Sequence, residues 1–438
     1  MSKSFRRIDN PRLLAFEVLA QVLLEGAYSN LILPKVLSES ALDSNDRAFA
    51  TELVYGTLRM QGRHDHFIAS ASDRVLEKID LKTLIVLRMG THQLKQLRVP
   101  SHAAIYESVE LAKKVVGKST ASFVNAILRK IDSLDFEQLA KNHGTYARLS
   151  IEFSHPEWII SSYLDSLKSR DEVIQLLGAN NIAAKPTLIA WPGRASVQEL
   201  LESGAMPIEG SFVAASLDGN PGDVAAVRQR RAGVQDLGSQ IVVEKFYDTF
   251  KPNLRWLDLC AGPGGKAAYL SALLNRDGGE FLANEISAER AKLVSQVLHH
   301  GEVRVGDGRC MPAELGKFDR IILDAPCTGI GALRRRPEVR WRRSLEDLRS
   351  LTHLQSELLN SAVTLLVPGG VIAYVTCSSH QAETKFQIRS FLKRHSNFSR
   401  IAVKDERADI DGDLQLWPHR DGTDAMFLSL LKNEGTNR

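Results

Sequence analysis

Two cysteines stand where apolar runs end in polar turns. They lie in Phe318-Asp-Arg-Ile-Ile-Leu-Asp324-Ala-Pro-Cys327-Thr-Gly and in Val371-Ile-Ala-Tyr-Val-Thr-Cys377-Ser-Ser. A thiol at the end of a strand faces the crevice where ligands of α/β sheets bind, and its thiolate is a nucleophile suited to covalent chemistry. The other two cysteines, Cys260 and Cys310, read as small apolar filler, the common use of a free cysteine. None of the four shows C-x-x-C spacing, so reduced thiols and no metal site are expected.

A glycine-rich loop accompanies the thiols. In Asp258-Leu-Cys260-Ala261-Gly262-Pro263-Gly264-Gly265-Lys266 a strand turns into a helix, and the glycines let the backbone approach a ligand beside the free N–H groups of the helix start. Ala261 and Ala267 stand where a phosphate loop needs glycine and a hydroxyl residue, so a nucleotide triphosphate is not the expected ligand. Glu285 follows about 20 residues on, at the end of the second strand, where a carboxylate accepts hydrogen bonds from ribose hydroxyls. Asp307 ends the third strand position and Asp324 the fourth. A glycine loop followed by strand-end acids points to S-adenosylmethionine.

These residues need a frame. Strand-like runs at 254–259, 279–284, 320–323 and 370–376 alternate with helical segments, which builds a mostly parallel, doubly wound sheet. Before them the pattern differs. From Pro11 to about Ile131 apolar residues recur at helical spacing, with Pro100 and Gly117 as breaks, so an all-helical domain is expected over 1–145. Residues 146–233 read as a small α+β connector, with helices at Trp158 to Leu167 and after Asp171, and short strands at Pro186 to Trp191 and Ser211 to Leu217. The sheet domain takes 234–438.

The chain has 438 residues, 44% hydrophobic and 25% charged, which suits several folded domains and excludes a disordered chain. There is no apolar run of about 18 residues, and Asp9 and Pro11 follow the Met1-Ser-Lys-Ser-Phe-Arg-Arg start too soon for a signal sequence, so a cytoplasmic protein without membrane contact is expected. The formal net charge of +4 leaves nucleic acid open as a partner through local clustering. Such a cluster exists. Leu333-Arg-Arg-Arg-Pro-Glu-Val-Arg-Trp-Arg-Arg343 reads as an RNA-facing loop in which Arg334, Arg335, Arg336 and Arg340 bind phosphates and Trp341 stacks on a base.

Together, the Asp-Leu-Cys-Ala-Gly-Pro-Gly-Gly-Lys, Asp-Ala-Pro-Cys, Arg-Arg-Arg-Pro-Glu-Val-Arg-Trp and Val-Thr-Cys-Ser segments resemble the NOL1/NOP2/Sun family of RNA cytosine-5 methyltransferases. The helical part resembles the NusB RNA-binding fold, and the combination resembles the bacterial RsmB (Fmu, Sun) branch, which acts on small-subunit ribosomal RNA. The resemblance implies a Rossmann-like class I methyltransferase domain, S-adenosylmethionine as cofactor, ribosomal RNA as partner and a monomeric enzyme. It further implies that Cys377 attacks carbon 6 of cytosine and that Cys327 assists release. Asp324 would hydrogen-bond near the base and the cofactor's amino end, with Lys266 holding polar groups of the pocket. The sequence departs from the family in having Gly262 and Ala267 in the loop, Glu285 for a common Asp, and Glu383-Thr384 for a Glu-Asn pair. Two other readings compete. A NusB-like RNA-binding or antitermination factor with a vestigial methyltransferase domain has no need of an intact cysteine pair, and a DNA cytosine methyltransferase needs only the Pro-Cys thiol.

Overall fold

A computed structural model describes residues 8–435 except 142, 250, 252 and 253; the expectation drawn from Met1 to Arg7 lies outside them. By its contacts the chain forms two compact units, one of residues 1–164, 169–182 and 333–342, the other of 165–168, 183–332 and 343–438. This differs from a three-part division at 145 and 233. The helices expected in the connector, Glu157–Leu167 and Arg170–Asn180, fall mainly in the first unit, while its strands fold with the second.

The first unit is helical. Its helices begin where side chains cap free N–H groups: Asn10 accepts from Leu13 N before Pro11–Leu24, Asp43 from Asp46 N before Ser44–Arg59, and Asp80 from Thr83 N before Leu81–Lys95. Leu81–Lys95 is buried continuously from Thr83 to Gln93, as a helix surrounded by others must be. Ala121–Ser133 buries only Ala121, Val124, Ile127, Leu128 and Ile131, one stripe at helical spacing.

The arginine segment belongs to this unit, and its alternate residues cap helix ends. Glu338 accepts from Ser29 N (3.1 Å) and Oγ (2.8 Å) at the start of Ser29–Glu39. Arg342 donates to the carbonyls of Val22, Gly26 and Ala27 at the end of Pro11–Leu24. Arg340, 0% exposed, donates to the carbonyls of Arg59 (3.1 Å), Ser154 (3.0 Å) and Asn180 (3.3 Å) and to Asn181 Oδ1 (2.9 Å). One guanidinium thus satisfies the ends of three helices, Ser44–Arg59, Thr145–Phe153 and Arg170–Asn180, where carbonyls lack partners and the dipoles favour a cation. Burial, then the Arg59 charge, pushes its pKa down to about 9, so it stays charged at neutral pH.

In the second unit, strands β1 (Thr187–Ala190), β2 (Met206–Pro207), β3 (Ala214–Ser216) and β4 (Ala232–Val234) form a small antiparallel sheet in the order β2-β3-β1-β4. The larger sheet contains β5 (Arg255–Asp258), β6 (Glu280–Glu285), β7 (Glu302–Val305), β8 (Phe318–Asp324), β9 (Leu366–Thr376), β10 (Phe398–Ile401) and β12 (Phe427–Asn433), ordered β10-β12-β9-β8-β5-β6-β7, with β11 (Leu414–Gln415) paired to β12. The five strands from β7 to β9 are parallel; β12, β10 and β11 pair antiparallel. Ile321 to Leu323 and Ile372 to Val375 are buried without alternation, because apolar clusters cover both faces of the sheet. From β5 the chain steps one way to β6 and β7, then to the other side for β8 and β9. The carboxyl ends of β5 and β8 therefore flank the point where the strand order reverses, which opens a ligand crevice.

Candidate active site

The two thiols meet. Asp324 pairs in register with Val375, so the turns after β8 and β9 leave the sheet at one level, and Cys327 Sγ lies 3.4 Å from Cys377 Sγ. Both side chains are half-buried. Their surroundings differ in charge. The Cys327 thiol is pushed well up by its hydrogen bond to Cys377, by burial, and by the Glu383 and Asp324 charges. Lys266 donates to Asp324 Oδ2 (2.8 Å); burial alone would lower its pKa, but Asp324, and to a lesser degree Cys377 and Asp258, raise it. Lys266 and Cys377 thus act on each other by charge, while the Cys327 thiol is held in its protonated form.

One buried carboxylate ties the two cysteine turns together. Glu383, 0% exposed, accepts from Thr328 N (2.8 Å) and Oγ1 (2.5 Å), from Ser378 Oγ (2.6 Å) and from Gln355 Nε2 (3.1 Å). Thr328 and Ser378 are the residues that follow Cys327 and Cys377. Gln355 also donates to Pro326 O, and Tyr374 Oη–H donates to Glu383 O. Gly331 completes the frame by donating to Cys377 O (3.0 Å). Sequence reasoning treated Glu383 only as half of a family pair; the available signal was a hydroxyl residue directly after each cysteine.

The loop residues gather as expected at the end of β5. Ala261 is buried and donates to Asn284 O, Pro263 and Gly265 are exposed, and Gly264 adopts φ 115°, a left-handed turn closed to a side chain by Val294 and Val297. Glu285 accepts from Gly262 N (2.9 Å) and Ser287 N (2.9 Å) and lies 3.5 Å from Arg290, so it holds the loop directly; a side chain at 262 would strike its carboxylate. Asp307 is half-buried and paired with Arg309 (2.7 Å), which lowers its pKa. Asp258, which sequence reasoning did not single out, is buried, and burial with the Asp324 charge pushes its pKa up to about 8. Its Oδ1 accepts from Cys260 N, while Oδ2 is buried with no partner. A buried unpaired carboxyl oxygen with Asp324 and Glu285 near enough to act on it by charge fits S-adenosylmethionine, which brings a sulfonium, an ammonium and two ribose hydroxyls.

Three expectations need correction. Arg340 cannot serve an RNA phosphate, since it is fully buried and both its terminal nitrogens are engaged by helix-end acceptors. Trp341 is not an open stacking platform: its ring fills the space beside Gly62 that any side chain there would need. Cys310 is exposed rather than buried, whereas Cys260 is half-buried and burial pushes its thiol pKa up. Arg334, Arg335 and Arg336 are half-buried, with Arg336 5.7 Å from the Tyr28 ring centre.

Comparisons with known proteins give the family and the fold. Residues 249–432 match the family described as 16S rRNA methyltransferase RsmB/F, and residues 9–133 match the NusB family. A protein of Mycobacterium tuberculosis (strain ATCC 25618 / H37Rv), named as a methyltransferase with no stated substrate, is 40% identical over 98% of this chain and 97% of its own. Ribosomal RNA small subunit methyltransferase B of Photorhabdus laumondii subsp. laumondii is 30% identical over 96% of this chain and 98% of its own. The crystal structure of PH0851, 23% identical, matches with TM-score 0.84 over 97% of this chain and 99% of that one, and shows the same fold.

Proposed function

Because the chain belongs to the RsmB/F family of S-adenosylmethionine-dependent methyltransferases, we propose that it methylates carbon 5 of a cytosine in small-subunit ribosomal RNA through a covalent bond from Cys377 to carbon 6 of the base. The observation that carries the reading is the 3.4 Å approach of Cys327 and Cys377 beside Lys266. Carbon 5 of cytosine is a poor nucleophile. Addition of the Cys377 thiolate across the 5,6 double bond makes it enamine-like, as covalent catalysis by an activated thiol requires. When bound, S-adenosylmethionine supplies an electrophilic methyl group. A water molecule in the crevice then accepts the carbon 5 proton; the electrons of that C–H bond restore the 5,6 double bond and expel Cys377 as thiolate, which the Cys327 S–H stabilises by hydrogen bonding. Asp324 orients Lys266 and offers a carboxylate to the base and to the cofactor's amino end; Glu285 and Asp307 face the ribose and the rest of the cofactor.

A base in structured RNA must leave its stack to reach such a crevice. Arg334, Arg335 and Arg336, which follow the Cys327 turn in sequence, are the proposed phosphate contacts, and the NusB-like helices supply further RNA surface. The proposed setting is the cytoplasm, where ribosomal RNA is made; among the described residues no helix is long and apolar enough to cross a membrane. A single chain contains every site residue named, so a monomer suffices.

The test is adduct trapping. Cys377→Ala should lose methyl transfer and adduct formation together, whereas Cys327→Ala should accumulate a protein–RNA adduct that survives denaturing electrophoresis. The opposite pattern would assign attack to the Pro-Cys thiol, as in the DNA enzymes.

A further inference from the structure

The helical unit contains a polar cavity of about 360 Å³ that the methyltransferase reading leaves unused. It lies where four helices end. Glu52, Gly56 and Arg59 line it from one face of Ser44–Arg59, Arg63 from the next helix, His92 and Gln96 from the end of Leu81–Lys95, and Phe153 and Asn181 from the remaining two. Arg59 is 6% exposed, yet among the described residues its guanidinium makes no hydrogen bond and no ion pair, and its Nε is buried without a partner. Arg63 also has a buried unpartnered Nε; its guanidinium stacks 4.0 Å from the Phe136 ring centre and has one long 3.5 Å contact to Glu152 O. Glu52 is engaged by His92 Nε2 at 3.1 Å and acts on Arg59 through its charge without a hydrogen bond.

A buried guanidinium with idle donors is costly to a fold, and replacing it by an apolar chain is often neutral or stabilising. Its donors form a planar fork suited to a phosphate. We propose that this cavity binds a phosphate ester of a ribonucleotide, with Arg59 and Arg63 gripping the phosphate and Phe153 beside the sugar or base. The volume lies near the lower end of the range for ligand sites, about 300–1,000 Å³, which admits one nucleotide and excludes a duplex. The ester could belong to an RNA chain, which would extend the proposed RNA substrate reading, or to a free nucleotide, which would not depend on that reading.

The experiment uses the full chain with two probes, adenosine 5′-monophosphate by calorimetry and a fluorescein-labelled 12-nucleotide single-stranded RNA by anisotropy, across a salt series. In Arg59→Met the RNA dissociation constant should rise about five- to tenfold and the salt slope should fall by about one. The melting temperature should hold or rise, and S-adenosylmethionine affinity should not change. Loss of the monophosphate alone would assign the cavity to a free nucleotide. Because Arg59→Met could also act through the fold, Arg63→Gln is the deciding partner: if neither probe weakens in either variant, or if Arg59→Met lowers the melting temperature while Arg63→Gln binds both probes as before, the proposal falls. Neither readout requires methyl transfer, so failure of the methylation reading would remain distinguishable.

Discussion

Cys377 and Cys327 differ less in their own chemistry than in what surrounds them. Lys266 sets a positive charge toward one, and Glu383 and Asp324 set negative charge toward the other. Glu383 also fixes the turns that carry both. Glu383→Ala removes four hydrogen bonds that join those turns, and single-turnover methylation should slow by about a hundredfold, the cost of misplacing reacting groups by about 1 Å, while calorimetry should find cofactor affinity unchanged. Asp258 gives a pH prediction. Unfolded, its carboxyl titrates near about 4; folded, it holds its proton to about 8. Between those values the folded chain binds a proton that the unfolded chain has lost, so stability falls as pH rises through the window and levels above it. The slope is at most about 1.4 kcal/mol per pH unit. Denaturant unfolding of Asp258→Asn from pH 5 to 8 should show a shallower decline than the parent; an equal slope would place the proton elsewhere.

Elements differ in how much of them could be read in advance. Four strands of the large sheet, β5, β6, β8 and β9, were legible because a doubly wound sheet buries both faces, which leaves unbroken apolar runs with chemistry at their ends; the antiparallel β10, β11 and β12 were not read. The cysteine turns were legible for the same reason. Glu383 was not, since one of its partners, Thr328, is 55 residues away and only the parallel pairing of β8 with β9 brings the turns together. The arginine segment misled for a related cause. A run of guanidiniums looks like a nucleic-acid surface, but the acceptors that bury Arg340 lie 159 to 281 residues distant in sequence. The segment therefore divides. Arg340→Ala should destabilise the helical unit by roughly 3–5 kcal/mol, because it leaves helix-end carbonyls buried without donors, as denaturant unfolding would show. Arg334, Arg335 and Arg336 changed together to Ala should reduce the salt slope of RNA binding.

Over the whole chain, the NusB-like helices were visible from periodicity alone, but their completeness was not. They were expected to end near residue 145, yet the compact unit also claims 169–182 and 333–342. A chain lacking residues 1–145 would keep the cofactor loop and thiols while stripping burial from Leu333, Val339 and Arg340. Such a truncation should aggregate or melt early in a thermal scan, and it should regain solubility when Leu333 and Val339 are also made polar.

The strap at 333–342 also sets an order of assembly during synthesis. A chain leaves the ribosome from its N-terminus, so the eleven α-helices that the described residues form before residue 182 emerge ahead of the strap. The cation that closes three of them follows only after residues 183–332 have been made, roughly 8 to 30 seconds later at about 5 to 20 residues per second. Through that interval the ends of Ser44–Arg59, Thr145–Phe153 and Arg170–Asn180 have only water for partners. The helical unit is thus finished only once β8 and the Cys327 turn have been made.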